Sequence, residues 1–138
     1  LIKELYMYKD NHEENKHVFT MGENLNIEIA YECKKEKTEG TDFRLSFVRS
    51  DGVVVYGISS LSDKAQIDIK DRGKIIFNID KLSLLPGKYY LDIDIKQKDD
   101  VILDYIKNAK EFYIENEGND IGEFGVISMN HKWLGDKE

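Results

Sequence analysis

Hydrophobic and polar positions alternate along two stretches of the chain. Leu25, Ile27, Ile29 and Tyr31 interleave with Asn24, Asn26, Glu28, Ala30 and Glu32. Tyr89, Leu91, Ile93 and Ile95 interleave with Tyr90, Asp92, Asp94 and Lys96. A period of two sends one set to a buried face and the other to water, as in a half-buried β-strand. Shorter runs read the same way: Leu5 and Met7; Phe43, Leu45 and Phe47; Ile75, Phe77 and Ile79; Phe112 and Ile114; Val126 and Ser128. Turn residues separate them. Ser50-Asp51-Gly52 stands between the runs 43–49 and 53–59, a hairpin signature. Asp71-Arg72-Gly73 precedes the run 74–80, and Pro86-Gly87 precedes 88–96. Proline sets φ and glycine accepts positive φ, so Pro86-Gly87 predicts a type II turn. Short strands at regular spacing predict an all-β fold, an antiparallel β-sandwich of roughly eight strands.

One stretch breaks the pattern. Val101, Ile102, Tyr105, Ile106, Ala109, Phe112 and Tyr113 recur at helical spacing. The spacing allows a helical turn or two before a strand at 110–115, and leaves open whether 99–111 is helical or extended.

Length and composition narrow the class. The 138 residues fit one domain, and 41% apolar residues suffice for a packed core. The net charge of −7 has no basic block set against it, which disfavours nucleic acid and anionic membranes as partners. A single cysteine, Cys33, excludes an internal disulfide and suits a reducing compartment. No apolar run approaches the ~20 residues of a membrane-spanning helix. The chain opens at Leu1 without a methionine and shows no signal-peptide core, which suggests a piece of a longer protein. There is one proline and no Ser/Gly linker, so 1–138 reads as one unit. Its 1–18 is a lead-in strand and charged loop, and 119–138 is a terminal strand and tail.

Catalytic motifs are missing. There is no GxxxxGK[ST], no GxGxxG and no GxSxG. Cys33 alternates with Tyr31, which places it on an apolar face and reads as a buried thiol rather than a nucleophile. His12 and His17 lack a zinc framework. Asp99, Asp100 and Asp104, and separately Glu115, Glu117, Asp120 and Glu123, supply oxygens for a calcium ion but lack the EF-hand pattern. They read as solvated loops. Asp92 and Asp94 share a strand face, a pair that suits glycosidase chemistry or simply the wet face of a sheet. No metal or cofactor is expected.

Eight tyrosines and a tryptophan are informative because several fall on polar faces. Tyr90 shares a face with Asp92 and Asp94, Tyr113 alternates against Phe112 and Ile114, Tyr56 follows the hairpin, and Trp133 lies near Asn130 and His131. A ring outside the core leaves apolar surface in water unless something covers it. Sugars match such a surface: their C–H faces pack on rings and their hydroxyls bond to Asp, Asn, Ser or Arg. Tyr90, Asp92, Asp94, Arg44 and Ser46, with Tyr56, Tyr113 and Trp133, are the candidate glycan platform. Protein interfaces are also rich in aromatic residues, so the residues alone leave a dimerisation surface open.

Several blocks, in order, resemble a known family. They are Phe19-Thr20-Met21-Gly22-Glu23-Asn24-Leu25; Arg49-Ser50-Asp51-Gly52 followed by Val55-Tyr56-Gly57-Ile58-Ser59-Ser60; Leu82-Ser83-Leu84-Leu85-Pro86-Gly87-Lys88-Tyr89; Asp104-Tyr105-Ile106-Lys107-Asn108-Ala109 before Phe112; and a late Gly125 and Trp133. Together they resemble the C-terminal carbohydrate-binding domain of the ATPase subunit of polysaccharide ABC exporters, the Wzt type. Gly22 admits the turn before the strand at 24–32. Leu84, Leu85 and Tyr89 look like the plug of an immunoglobulin-like sandwich, with Tyr89 as its corner tyrosine.

The resemblance implies non-catalytic recognition of a lipid-linked polysaccharide, such as an O antigen, coupled to its export. It implies an upstream ATPase domain, where ATP and Mg would bind, and a transporter membrane subunit. It places the protein in the cytoplasm, peripheral to the inner membrane through the transporter. It also implies a homodimer in which a C-terminal strand at 124–129 crosses to the partner after a flexible lead at 118–122. Binding positions vary within the family, so none is carried over. The acidic charge favours a neutral glycan, unless Arg44 and Arg49 make a basic pocket.

Overall fold

The computed structural model describes residues 1–10, 14–33, 40–65, 67–97, 101–116 and 122–135. His12, Asp99, Asp100, Glu117, Asp120 and most of the lead at 118–122 lie outside the described residues. Eight strands follow in order: β1 (Ile2–Tyr8), β2 (Val18–Thr20), β3 (Leu25–Glu32), β4 (Asp42–Arg49), β5 (Val54–Ser59), β6 (Arg72–Ile79), β7 (Gly87–Lys96) and β8 (Ile102–Glu115). They form a three-stranded sheet, β1-β3-β6, and a five-stranded sheet, β2-β8-β7-β4-β5. The described residues contain no helix.

The two alternating stretches become β3 and β7, the central strands of their sheets. Leu25, Ile27, Ile29 and Tyr31 from β3 meet Tyr89, Leu91, Ile93 and Ile95 from β7 in one buried cluster, joined by Phe43, Leu45, Phe47 and Phe112. Leu82, Leu84 and Leu85 close one end, all buried. There the Tyr89 hydroxyl donates to the Leu85 carbonyl at 2.6 Å, which ties the end of the sandwich to β7. That bond is the corner-tyrosine arrangement of immunoglobulin-like folds.

The structure corrects the sequence reading in three places and decides a fourth that the sequence left open. First, the sandwich is not wholly antiparallel: β2 pairs parallel to β8, Val18 opposite Tyr113. A three-residue strand is too short to show a period, and so it was not anticipated. Second, Gly87 is not among the glycines with positive φ, so Pro86-Gly87 is not a type II turn and Gly87 instead begins β7. Third, β6 begins at Arg72, and Gly73 belongs to a strand rather than a turn. Fourth, residues 102–115 are extended. Leu91 pairs with Lys110 and Ile93 with Ile106, so β8 spends four residues where β7 spends two. A second irregularity sets Ile95 against Asp104 and Lys96 against Ile102. The first interrupts the alternation and the second reverses which side chains point inward. The sum mimics a helical period, and Asn108, at φ 53°, sits within the larger bulge.

The terminal segment pairs with its own chain. The Leu85 amide donates to Val126 O at 2.6 Å and the Ser128 amide to Ser83 O at 2.8 Å. Glu123 locks the turn: Met129 N–H and the Ser128 hydroxyl each donate to its carboxylate at 2.8 Å. These two bonds, the Met129 amide first, hold the Glu123 carboxyl below the ordinary glutamate range. A carboxylate whose folded value is depressed stabilises the fold above its unfolded value and loses that effect as pH falls through the folded one. On acidification the Ser128 and Met129 amide signals should therefore move together, at a pH below that of an exposed glutamate. Independent movement, or a normal glutamate midpoint, would show that the carboxylate does not hold the segment.

Candidate functional site

β7 carries the site because it lies in the middle of its sheet, between β4 and β8. Its outward residues are Lys88, Tyr90, Asp92, Asp94 and Lys96. On one side the register sets Arg44 opposite Asp94, Ser46 opposite Asp92 and Val48 opposite Tyr90. On the other it sets Tyr113 opposite Lys88, Glu111 opposite Tyr90 and Tyr105 opposite Asp94. Tyr90, Asp92, Asp94, Arg44, Ser46 and Tyr113 therefore share one outer face.

That face has two halves. Near Gly87, Lys88 Nζ lies 5.4 Å from the Tyr90 ring centroid and 3.5 Å from a Glu111 oxygen. The Tyr113 hydroxyl donates to the same carboxylate. Contact with Tyr90 and the charge of Glu111 raise the Lys88 pKa. The bond from Tyr113, then the charge of Lys88, lower that of Glu111. Lys88 and Glu111 are thus both charged at neutral pH.

The other half is polar and less committed. Asp92 Oδ1 accepts the Asn108 amide at 2.7 Å, so the bulge of β8 fixes this carboxylate. Asp94 Oδ1 is buried without a hydrogen-bond partner among the described residues. A buried acceptor left unpaired is costly and rare. Arg44 is exposed beside it. Gly57 pairs with Ser46, and even a methyl group there would stop 3.8 Å from Ser46 Oγ. The missing side chain leaves the hydroxyl open.

Two candidates lie elsewhere. Tyr56 pairs with Phe47 and points to the inner side, its ring 5.6 Å from that of Phe47. The bulge that sets Phe47 against Tyr56 and Val48 against Val54 puts it there. It borders an apolar cavity of about 320 Å³ with Phe47, Ile79, Leu82, Leu84 and Ile127. Trp133 is 95% exposed on the tail, beyond the last residue paired to the sandwich. The basic pocket of Arg44 and Arg49 does not form either. Arg49 points to the other side of β4, and its guanidinium bonds Asp51 at 2.6 and 3.0 Å across the hairpin.

Tyr105 was missed. It is 54% exposed opposite Asp94, and the apparent helical spacing hid its place in a strand. Asp104 has a structural use: its carboxylate accepts the Ile2 amide at 3.0 Å and so links the two sheets. Among the described residues no three His, Cys, Asp or Glu side chains gather as a metal site. Cys33 is half-buried against the core. No helix is long and apolar enough to cross a membrane.

Comparison with known proteins agrees with this architecture. No curated protein matches the chain. The crystal structure of the C-terminal domain of Wzt superposes with a TM-score of 0.77 at 14% identity, over 98% of this chain and 83% of that one. A calcium-binding mutant of Bacteroides uniformis β-glucuronidase 2 matches 79% of this chain with 12% of its own, at 15% identity and a TM-score of 0.50. At such identities the likeness is one of fold. The model of the Wzt C-terminal domain matches residues 1–129, nearly the whole sandwich and its terminal segment, and the chain belongs to that family.

Proposed function

We propose that this domain binds a surface polysaccharide without altering it and so couples the glycan to export by an ABC transporter. The family is one associated with polysaccharide-export ABC transporters, which supports the context. The observation that carries the reading is the outer face of the five-stranded sheet. There a half-buried tyrosine adjoins two carboxylates, a serine and an arginine. A sugar C–H face packs on Tyr90 while its hydroxyls donate to Asp94 and accept from Arg44 and Ser46. Asp92 and Asp94 lie side by side on one strand and meet the same side of a ligand. Glycosidase carboxylates flank the scissile bond instead, so this pair suits binding. Asp92, Asp94 and Glu111 offset Arg44, Lys88 and Lys96 on this face, and a neutral glycan fits it better than a polyanion.

The protein works on the cytoplasmic side of the inner membrane, held there by its ATPase domain and the transporter's membrane subunit. It acts as a homodimer through 124–129. Phe124 and Met129 are 96% and 64% exposed, apolar surface that a second copy covers.

Amide-resolved NMR titration with polysaccharide purified from the producing cell, with dextran as control, tests the reading. Shifts centred on Tyr90 with the cognate glycan alone are expected, and Tyr90→Ala should weaken binding about tenfold or more while the domain stays folded. Unchanged affinity in a folded variant would move the site off this face. No shifts at millimolar glycan would leave a dimerisation module.

A further inference from the structure

The outer face of the other sheet carries a second aromatic cleft. In β1, Leu5 and Met7 point inward, so Tyr6 and Tyr8 stand side by side on the outside, about 7 Å apart along the strand. They border a polar cavity of about 250 Å³ with Glu28 and Lys74. The register explains its shape. Tyr6 lies opposite Glu28 on β3, with Ile76 beyond it on β6. In the next row Glu4, Ala30 and Lys74 line up across the three strands. Ala30 is the small central residue and leaves a floor between longer neighbours.

The polar groups are held in place. The Tyr8 hydroxyl donates to Glu28 Oε1 at 3.1 Å, and Lys74 Nζ stands 3.7 Å from Glu28 Oε2. The Tyr6 hydroxyl donates to Glu4 Oε2 at 2.8 Å. At the far end Asn26 bridges the strands: its amide donates to Asp10, and its oxygen accepts from Asn78 at 2.8 Å. This network sets β1 against β3 and β6, so the rings start from an ordered platform.

We propose that Tyr6, Tyr8, Glu28 and Lys74 form a second sugar-binding cleft, on the sheet opposite Tyr90, that takes neutral pyranose units of a polysaccharide. The inference rests on the polysaccharide reading above and adds a site to it. Two rings in line along a strand suit consecutive sugars of a chain better than one monosaccharide. Glu28 accepts from sugar hydroxyls and Lys74 donates to them, a donor and an acceptor side by side. Two carboxylates against one ammonium leave the cleft negative, which excludes uronic acids and other anionic sugars. A polymer that engages both sheets gains avidity, because the second contact is intramolecular.

Titration of the folded domain with polysaccharide from the producing cell, dextran again being the control, distinguishes the two sites. Two separate groups of shifting amides are expected, one around Tyr90 and one around Tyr6, Tyr8, Glu28 and Lys74. Tyr6→Ala should weaken the second group about tenfold and, with an oligosaccharide of that polymer too short to reach both sheets, leave the first at its wild-type midpoint. Should Tyr6→Ala fail to fold, Glu28→Gln keeps the rings and the shape and should still weaken the second group severalfold. Shifts around Tyr90 alone would overturn the cleft while the general reading stands. Shifts in the cleft alone would uphold it and remove the first site. No shifts with the cognate glycan would overturn both.

Discussion

Phe112→Ala should cost the domain about 3–5 kcal/mol of stability, among the largest effects of any single substitution. The side chain is fully buried. Its ring meets Phe47 edge-on at 5.4 Å and stacks on Tyr89 at 5.7 Å. Three neighbouring strands of one sheet thus supply three rings that pack on one another. Alanine removes the middle ring and leaves a void that strands paired on both sides cannot readily close. Tyr89 also loses the surface that steadies its bond to Leu85. Against a total stability of about 5–15 kcal/mol, the loss is a large fraction. Urea unfolding should show a lower midpoint at an unchanged slope, since the same surface is exposed. A loss below about 1 kcal/mol would mean that the rings re-pack and that the core is looser than its geometry.

Gly73→Val should cost about 1–3 kcal/mol for the opposite reason, overpacking. Gly73 lies opposite Tyr31 on the neighbouring strand, and the tyrosine ring lies over it. A Cβ at this position would stand 2.7 Å from Cζ and 3.0 Å from Cε1 of Tyr31. The ring cannot yield freely, because it is 4% exposed and packs against Phe43 at 6.2 Å. The backbone amide of Lys70 also donates to its hydroxyl at 3.4 Å. The double variant Gly73→Val, Tyr31→Leu should recover part of the loss in thermal unfolding. That recovery measures the coupling of the two positions. Equal losses in the single and double variants would show that the glycine serves the backbone and not the ring.

Gly73 also illustrates what the sequence could and could not say. In the chain it follows Asp71-Arg72 and carries the mark of a turn; its use, room for a ring from another strand, depends on a register no local pattern reveals. The central strands were legible because β3 and β7 each bury one face and wet the other. β8 was not, because its two bulges interrupt the alternation on which such reading depends. The same limit applies to the site. Tyr90, Asp92 and Asp94 are one strand's outward row and could be read together. Arg44 and Ser46 joined them because β4 pairs with β7 without a bulge. Tyr56 was assigned to their face and lies on the inner one, since β5 carries a bulge against β4. Tyr6 and Tyr8 carried the same alternating signal as Tyr90, between Leu5 and Met7, but with no acidic pair beside them in sequence. Glu28 and Lys74 come from other strands.

The bulges have a further consequence, for behaviour at high concentration. Four strands end the two sheets, and a strand at a sheet edge is where another chain can be recruited. β2 is only three residues long. β1 and β5 each break register against their neighbours, which bends and twists the strand. β6 places the charges of exposed Arg72 and Lys74 along its outward row. Two molecules that meet edge to edge thus find no long, flat and uncharged strand on which a sheet could continue to grow. The irregularities that obscured β8 and misplaced Tyr56 belong to the same habit of interrupted pairing, and on the outer strands it guards an all-β protein against aggregation.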